Sequence, residues 1–167
     1  MNLFGQPLGA PPIDWYRIPM KVGHVFHPFL LPHKFFQAIY KDRRGDWEHF
    51  LQGPIGAAQQ YWDNMKDNLY VKNHPNFPMN TWAKTLPLGL HGDAGAYSKQ
   101  DSLMVISWNS LLGRGNTRRK RFLFTFLRKR DYSRETLDVC WKIFAHSMNQ
   151  ISEGNTASVD WQGKPML

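Results

Sequence analysis

One aspartate stands where an apolar run of the sequence stops. Residues 85–92 are predicted to form a strand, and Asp93 follows directly, with Gly92 before it and Gly95 close behind. A carboxylate at the end of a strand can hold Mg²⁺ or Mn²⁺ for phosphoryl transfer, because these cations prefer oxygen ligands. The neighbouring glycines leave the backbone open to close approach. Asp93 is therefore the candidate catalytic residue and metal ligand, and the alternative is that its side chain only caps a turn.

Two further residues could assist Asp93. His91 lies two positions earlier, so both side chains could share one face of a strand, where His91 would orient the carboxylate or a metal-bound water. The alternative is a histidine that is simply packed and hydrogen-bonded. Asp160 is a candidate second metal ligand if a fourth strand begins near it, and an exposed loop acid otherwise.

The positive charge of the chain is concentrated in one segment. The net charge is +8, and residues 114–134 carry nine Lys and Arg with a single acid, whereas the rest of the chain is balanced. A localised excess favours a polyanionic partner, so we expect DNA or RNA. The candidate nucleic-acid-binding residues are Arg114, Arg118, Arg119, Lys120, Arg121, Arg128, Lys129 and Arg130.

Two other interpretations of this basic segment remain open. It could be a solvated hairpin tip, since charge runs often are. It could also serve as a nuclear targeting signal, so a nuclear or other intracellular location is expected.

The second half of the chain has the pattern of three strands and a helix. Strands are predicted at 85–92, 102–109 and 121–128, with Asp93-Ala94-Gly95-Ala96 as a turn. A helix is predicted from a cap at Ser133 to Gly154. Its apolar stripe comprises Leu137, Cys140, Trp141, Phe144, Met148 and Ile151. These elements predict a three-stranded antiparallel meander covered by a long helix.

Large aromatic side chains of this half are expected in the core. They are Trp108, Phe122, Phe124, Phe126 and Trp141. A platform on which bases stack is expected only if the helix leaves part of the sheet uncovered.

The first half has a different character. Residues 1–33 hold six prolines and are predicted to form an extended arm. Its docking side chains would be Trp15, Tyr16, Phe26 and Phe29. Residues 34–83 are predicted to be helical, in segments 34–43, 46–52 and 55–71. The fold class is thus α+β, and the predicted domains are the arm 1–33, the helical region 34–83 and the β-β-β-α core 84–167.

Several functional classes lack support in the sequence. Cys140 is the single cysteine, which excludes a disulfide framework within the chain and a cysteine-rich zinc site. No apolar run reaches the ~18 residues of a membrane span, so no membrane partner is expected. Neither a Gly-x-Ser-x-Gly motif nor a Gly-Lys-Ser/Thr loop is present, so nothing indicates a hydrolase serine or a small-molecule cofactor.

The β-β-β-α order, with an aspartate after the first strand, resembles the start of the ribonuclease-H-like fold. The chain also resembles a large uncharacterised, transposon-like family repeated many times in some protist genomes. The segments that carry this resemblance are PLGLHGDAGAYSKQDSLMVISWNSLLG, KRFLFTFLRKRDY, TLDVCWKIFAHSMNQISEG and DWQGKP. The resemblance covers about residues 60–167. It implies a DDE-type nuclease whose first acid is Asp93 and whose second acid lies in a Gly-Asp-Trp motif further along, so this chain is expected to end before that motif.

Two functions follow from these patterns. The first is a transposase-like or nuclease-like domain, incomplete in this chain, that binds nucleic acid through residues 114–134 and uses a metal bound by Asp93. The second is a basic module that binds nucleic acid or a protein without catalysis, in which Asp93 is only a turn residue.

Overall fold

The computed structural model describes residues 11–75, 77–96, 98, 101–116, 120–153 and 161–163. The strands are β1 Asp14–Met20, β2 Gly23–Phe29, β3 Leu88–Ala96, β4 Ser102–Ser110 and β5 Phe122–Arg128. The α-helices are α1 Pro32–Asp42, α2 Arg44–Trp47, α3 Ala57–Met65, α4 Leu69–Lys72 and α5 Arg134–Glu153. A π-helical turn spans Glu48–Gln52, and a 3₁₀ helix spans Met79–Lys84.

The expected α+β class and the three-stranded meander are confirmed. β3, β4 and β5 form an antiparallel sheet in that order, and β1 and β2 form a second, two-stranded sheet. The chain divides into two compact units. The first unit holds the described residues of Met1–Asp42, His91–Ser107 and Leu123–Leu167, and the second unit holds those of Arg43–Leu90 and Trp108–Phe122. The three-part division expected from the sequence stays a prediction.

The proline-rich N-terminal region differs from the expected extended arm. Residues 14–29 form an antiparallel hairpin in which Asp14 pairs with Phe29 and Met20 with Gly23. Prolines fit here because each strand of a two-stranded ribbon has one edge outside the ladder, where a missing N–H costs little. The hairpin is fixed to the larger sheet by the bond from Leu30 N to Phe124 O, at 2.9 Å.

The core of the first unit lies between the hairpin, β5 and α5. The Phe29 ring lies 5.3 Å from that of Phe124, and Phe124 in turn meets Phe144 of α5 edge-on at 5.0 Å. In the second unit, Trp108 of β4 is buried as expected. Phe126 and Trp141 were expected in the core as well, but both are substantially exposed.

Helix α5 matches its expected length, although its buried stripe is shifted. Ser133 caps it: Ser133 Oγ accepts from Thr136 N at 3.4 Å, and Ser133 N donates to Thr136 Oγ1 at 2.9 Å. The fully buried positions are Thr136, Cys140, Ile143 and Ser147, and the expected stripe shares only Cys140 with them. The small polar side chains are buried because they have partners: Thr136 Oγ1 donates to Pro19 O, and Ser147 Oγ bonds His33 Nδ1. Burial raises the pKa of the Cys140 thiol to about 12, consistent with the expected small core residue.

In the second unit, the expected helix 55–71 is shorter and interrupted. It begins after Gly56, which adopts a φ of 79°, and stops at Met65 before the separate turn of α4, which Asn68 caps. Ile55, the first residue of the predicted helix, is fully exposed. The positive φ at Gly56 explains the late start, since few other residues adopt it. Trp62 anchors α3 by donating from Nε1 to Thr85 O at 2.8 Å.

None of the helices described here has the length and apolar character needed to cross a lipid bilayer.

Candidate nucleic-acid interface

The basic segment falls into two parts that the structure describes differently. Arg114, Lys120 and Arg121 belong to the second unit. Arg128, Lys129 and Arg130 belong to the first. Arg118 and Arg119 lie outside the described residues.

In the first unit, one nearly buried carboxylate organises the two arginines. Asp101 precedes β4, and its side chain is 6% exposed. One of its oxygens accepts from Arg128 Nε at 3.3 Å and lies 3.2 Å from Arg130 Nε, while its other oxygen accepts from Ser102 N at 2.9 Å. The cost of burying this carboxylate is therefore offset by hydrogen bonds from Arg128 and Ser102 and by the ion pair with Arg130. We call Asp101, Arg128, Arg130 and Asp131 the arginine cluster.

A turn after β5 brings the second carboxylate of the arginine cluster into place. Asp131 N donates to Arg128 O at 2.9 Å, closing the turn. The Asp131 side chain then lies 3.4 Å from Arg128 Nε and 3.6 Å from Arg130 Nε. The Arg130 side chain is 62% exposed even so, which leaves its guanidinium accessible to a ligand.

The tip of the N-terminal hairpin adjoins this cluster. Lys21 N donates to Asp131 O at 2.8 Å, so the β1–β2 turn lies against the turn after β5. Lys21, Lys129 and Arg134 are exposed, and none of them forms an ion pair with any residue that the structure describes. The arginine cluster is thus bordered by cations whose charge is not neutralised.

In the second unit, residues of the basic segment form hydrogen bonds that hold the local fold. Lys120 Nζ donates to Gly113 O at 2.9 Å, and Arg114 N donates to His49 O at 2.8 Å. Arg114 lines an open groove of about 530 Å³ together with Glu48, His49 and Ile55. Lys120 therefore has a structural contact, while Arg121 is exposed.

Asp93 lies inside strand β3, whereas a turn was expected there. The strand continues to Ala96, and Asp93 is exposed on it. His91 is half-buried in the same strand two residues earlier, so the two side chains share a face, as expected. Asp160 lies outside the described residues. Among the residues that are described, no group of three or more His, Cys, Asp or Glu side chains is arranged to hold a metal ion.

Sequence reasoning missed Asp101, the residue that orders the arginines. Asp101 was given no role, because its partners lie 27 and 29 positions later. A usable signal was present: Asp101 directly precedes the predicted strand 102–109, and Asp131 follows shortly after the predicted strand 121–128.

Comparisons of the chain with protein-family models, with curated proteins and with solved structures gave no match.

Proposed function

We propose that this chain binds nucleic acid through the basic segment, with the arginine cluster of the first unit as the centre of the site. The observation that carries the proposal is the placement of two arginines on one nearly buried carboxylate, Asp101, at an exposed surface. The proposal is the binding module without catalysis. Metal binding at Asp93, with Mg²⁺ or Mn²⁺, and the ribonuclease-H-like arrangement stay predictions from the sequence.

Preorganisation is the first argument. A free arginine side chain loses up to about 2 kcal/mol of rotamer entropy when it is immobilised on a ligand. Arg128 and Arg130 are already oriented by Asp101 and Asp131, so part of that cost is met before a phosphate arrives. Guanidinium groups fit phosphate oxygens in paired hydrogen bonds.

Unneutralised charge is the second argument. The two carboxylates of the arginine cluster offset its two arginines, so the cluster itself carries no net charge. The electrostatic attraction for phosphates therefore comes mainly from Lys21, Lys129 and Arg134 around it. Each cation that replaces a counterion at a phosphate makes binding weaker as salt rises.

The test removes these three cations without touching the arginine cluster's ion pairs. We expect the combined variant Lys21→Gln, Lys129→Gln and Arg134→Gln to lower the salt dependence of binding, with the slope of log K against log salt falling by about 2. A slope change of about 2 corresponds to about 16-fold between about 50 and 200 mM salt, so the loss of affinity should be about 16-fold larger at the lower salt than at the higher. The measurement is fluorescence anisotropy of a labelled short duplex and of a labelled single strand, over about 50 to 200 mM salt.

A matched variant controls for total charge. Lys66→Gln, Lys72→Gln and Lys84→Gln also removes three exposed cations, all from the second unit outside the basic segment. We expect it to change the slope little. Equal effects of the two variants would mean that net charge alone drives binding, and no binding by the natural chain at low salt would overturn the proposal altogether.

A further inference from the structure

The outer face of the N-terminal hairpin displays large aromatic side chains to solvent. In the β1–β2 register, Trp15 lies opposite Pro28, Arg17 opposite Phe26, and Pro19 opposite His24. Because side chains alternate across a strand, these three pairs share one face. Trp15 is 60% exposed and Phe26 is 70% exposed.

The inner face of the hairpin already packs against the core. The outer face is therefore not the side of the hairpin that the core needs. Ile18 and Phe29 are buried on the inner face, and His27 Nε2 bonds Thr125 Oγ1 at 2.9 Å. On the outer face, neither Trp15 nor Phe26 stacks on another ring in the described part of the chain. Adjacent exposed aromatics of this size mark an interaction surface, since burying each ring would remove roughly 150–250 Å² from water.

The charge on this face selects an anionic partner. Arg17 lies beside Phe26 and forms no ion pair with a described residue, and His24 is exposed on the same face. The sequence contains no Asp or Glu from Trp15 to Lys41. A face that combines two rings with the charge of Arg17 and has no carboxylate fits a ligand that has both π-faces and phosphates.

The geometry favours a single strand over a duplex. Trp15 and Phe26 are diagonal neighbours across the ladder, which places such positions about 7–8 Å apart. Bases inside a duplex are covered on both faces by their neighbours and show only their edges in the grooves. An unpaired strand can instead turn successive bases onto separate rings.

We infer that the outer face of the β1–β2 hairpin is a base-stacking platform for single-stranded nucleic acid, with Trp15 and Phe26 as its two rings and Arg17 as its phosphate contact. The inference rests on the proposed function, which it deepens by naming the strand state of the ligand. The hairpin tip lies against the arginine cluster through the bond from Lys21 N to Asp131 O. A bound strand can therefore reach the cations around that cluster.

The test is the variant Trp15→Ala with Phe26→Ala in the full chain. Stacking on one aromatic ring is worth roughly 5- to 150-fold in affinity, so we expect binding of labelled oligothymidylate to weaken at least tenfold. Binding of a labelled duplex should change less than about twofold. The slope against salt should stay unchanged, because ring stacking releases no counterions.

Two controls keep the result interpretable. Leu69→Ala with Tyr70→Ala removes two exposed apolar side chains from α4 in the second unit and should leave single-strand binding unchanged. Trp15→Phe keeps a ring and should retain most of the affinity, and circular dichroism of every variant checks the fold.

The outcomes separate this inference from the proposed function. If the natural chain binds both ligands and the Trp15→Ala, Phe26→Ala variant binds them unchanged, the platform is wrong and the basic site stands. Equal weakening for single strand and duplex would also overturn the platform. A variant that alters self-association in light scattering, but not oligonucleotide binding, would assign the face to a protein partner. If the natural chain binds neither ligand, the proposed function fails first.

Discussion

Two loops of this chain are held in place by different kinds of contact. The turn at 129–131 in the first unit adds charge to its backbone hydrogen bonds, through the pairs that Asp101 makes with Arg128 and Arg130. The loop at 111–116 in the second unit is held mainly through backbone atoms.

The backbone contacts of the second loop are close. Ser110 Oγ donates to Leu51 O at 2.6 Å just before it, and Arg114 N donates to His49 O within it. Between them, Gly113 packs so tightly that an added Cβ would lie 2.1 Å from Phe50 O. A contact of this kind leaves no room for one more carbon, whereas an ion pair tolerates added volume but depends on charge and salt.

The largest expected effect comes from adding that carbon. Gly113→Ala should destabilise the chain by about 3 kcal/mol, because Phe50 O is a backbone atom that cannot swing aside. Urea unfolding should show a lower midpoint with an unchanged slope. Gly45→Ala is the matched control: nothing lies within 4 Å of its added Cβ, and alanine in α2 should be neutral or stabilising by up to about 1 kcal/mol. Equal midpoints for the two variants would contradict the close approach.

Much of the fold was predictable because local signals were consistent with tertiary packing. The strands at 102–109 and 121–128 and the helix from Ser133 were expected close to their observed bounds, since alternation and a cap define them locally. The hairpin at 14–29 was missed because its prolines suggested an irregular arm. The shifted stripe of α5 was missed because Ser147 is buried by a hydrogen bond to His33, 114 positions away.

The site was less predictable than the fold. The basic segment is visible in the sequence. Which of its cations form ion pairs depends on Asp101, and no local pattern connects Asp101 to Arg130. Trp15 and Phe26 were expected to dock the arm, yet they lie on the outer face, because strand alternation turned Tyr16 and Phe29 inward instead. Which of two aromatic pairs faces the core is set by register, and register is not a local property.

The first unit should also respond to pH, unlike the backbone contacts of the second loop. Burial lowers the pKa of His33 to about 4, with the positive Lys34 and the neighbouring His146 acting in the same direction and Asp14 against it. Between its ordinary pKa of 6.5 and about 4, the unfolded chain takes up a proton that the folded chain refuses. The stability that neutral His33 contributes is therefore fully present above about pH 6.5. It is lost as the pH falls, and the loss reaches about 2 kcal/mol at about pH 5.

The measurement is urea unfolding over that pH range. His33→Asn can still bond Ser147 Oγ, and it should remove most of this pH-dependent loss whatever its effect near neutrality. His74→Gln, at an exposed position, should keep the full loss. A natural chain whose stability is flat between about pH 7 and about pH 5 would disprove the role of His33.

The smallest expected effect tests the charged half of the comparison directly. Asp101→Asn keeps the size of the side chain and an acceptor for Ser102 N, but removes the charge that pairs with Arg128 and Arg130. Asp131 still contacts both arginines, and their side chains are exposed enough for solvent to screen the pairs, so we expect a loss of about 1 kcal/mol. Asp138→Asn, an exposed acid of α5 with no ion pair to a described residue, should cost less than about 0.5 kcal/mol.

Because salt screens an ion pair but not a steric contact, the penalty of Asp101→Asn should shrink when unfolding is measured in about 1 M salt, while that of Gly113→Ala should not. If both penalties survive high salt unchanged, the turn at 129–131 is held by packing rather than charge, and the arginines owe their position to something other than Asp101.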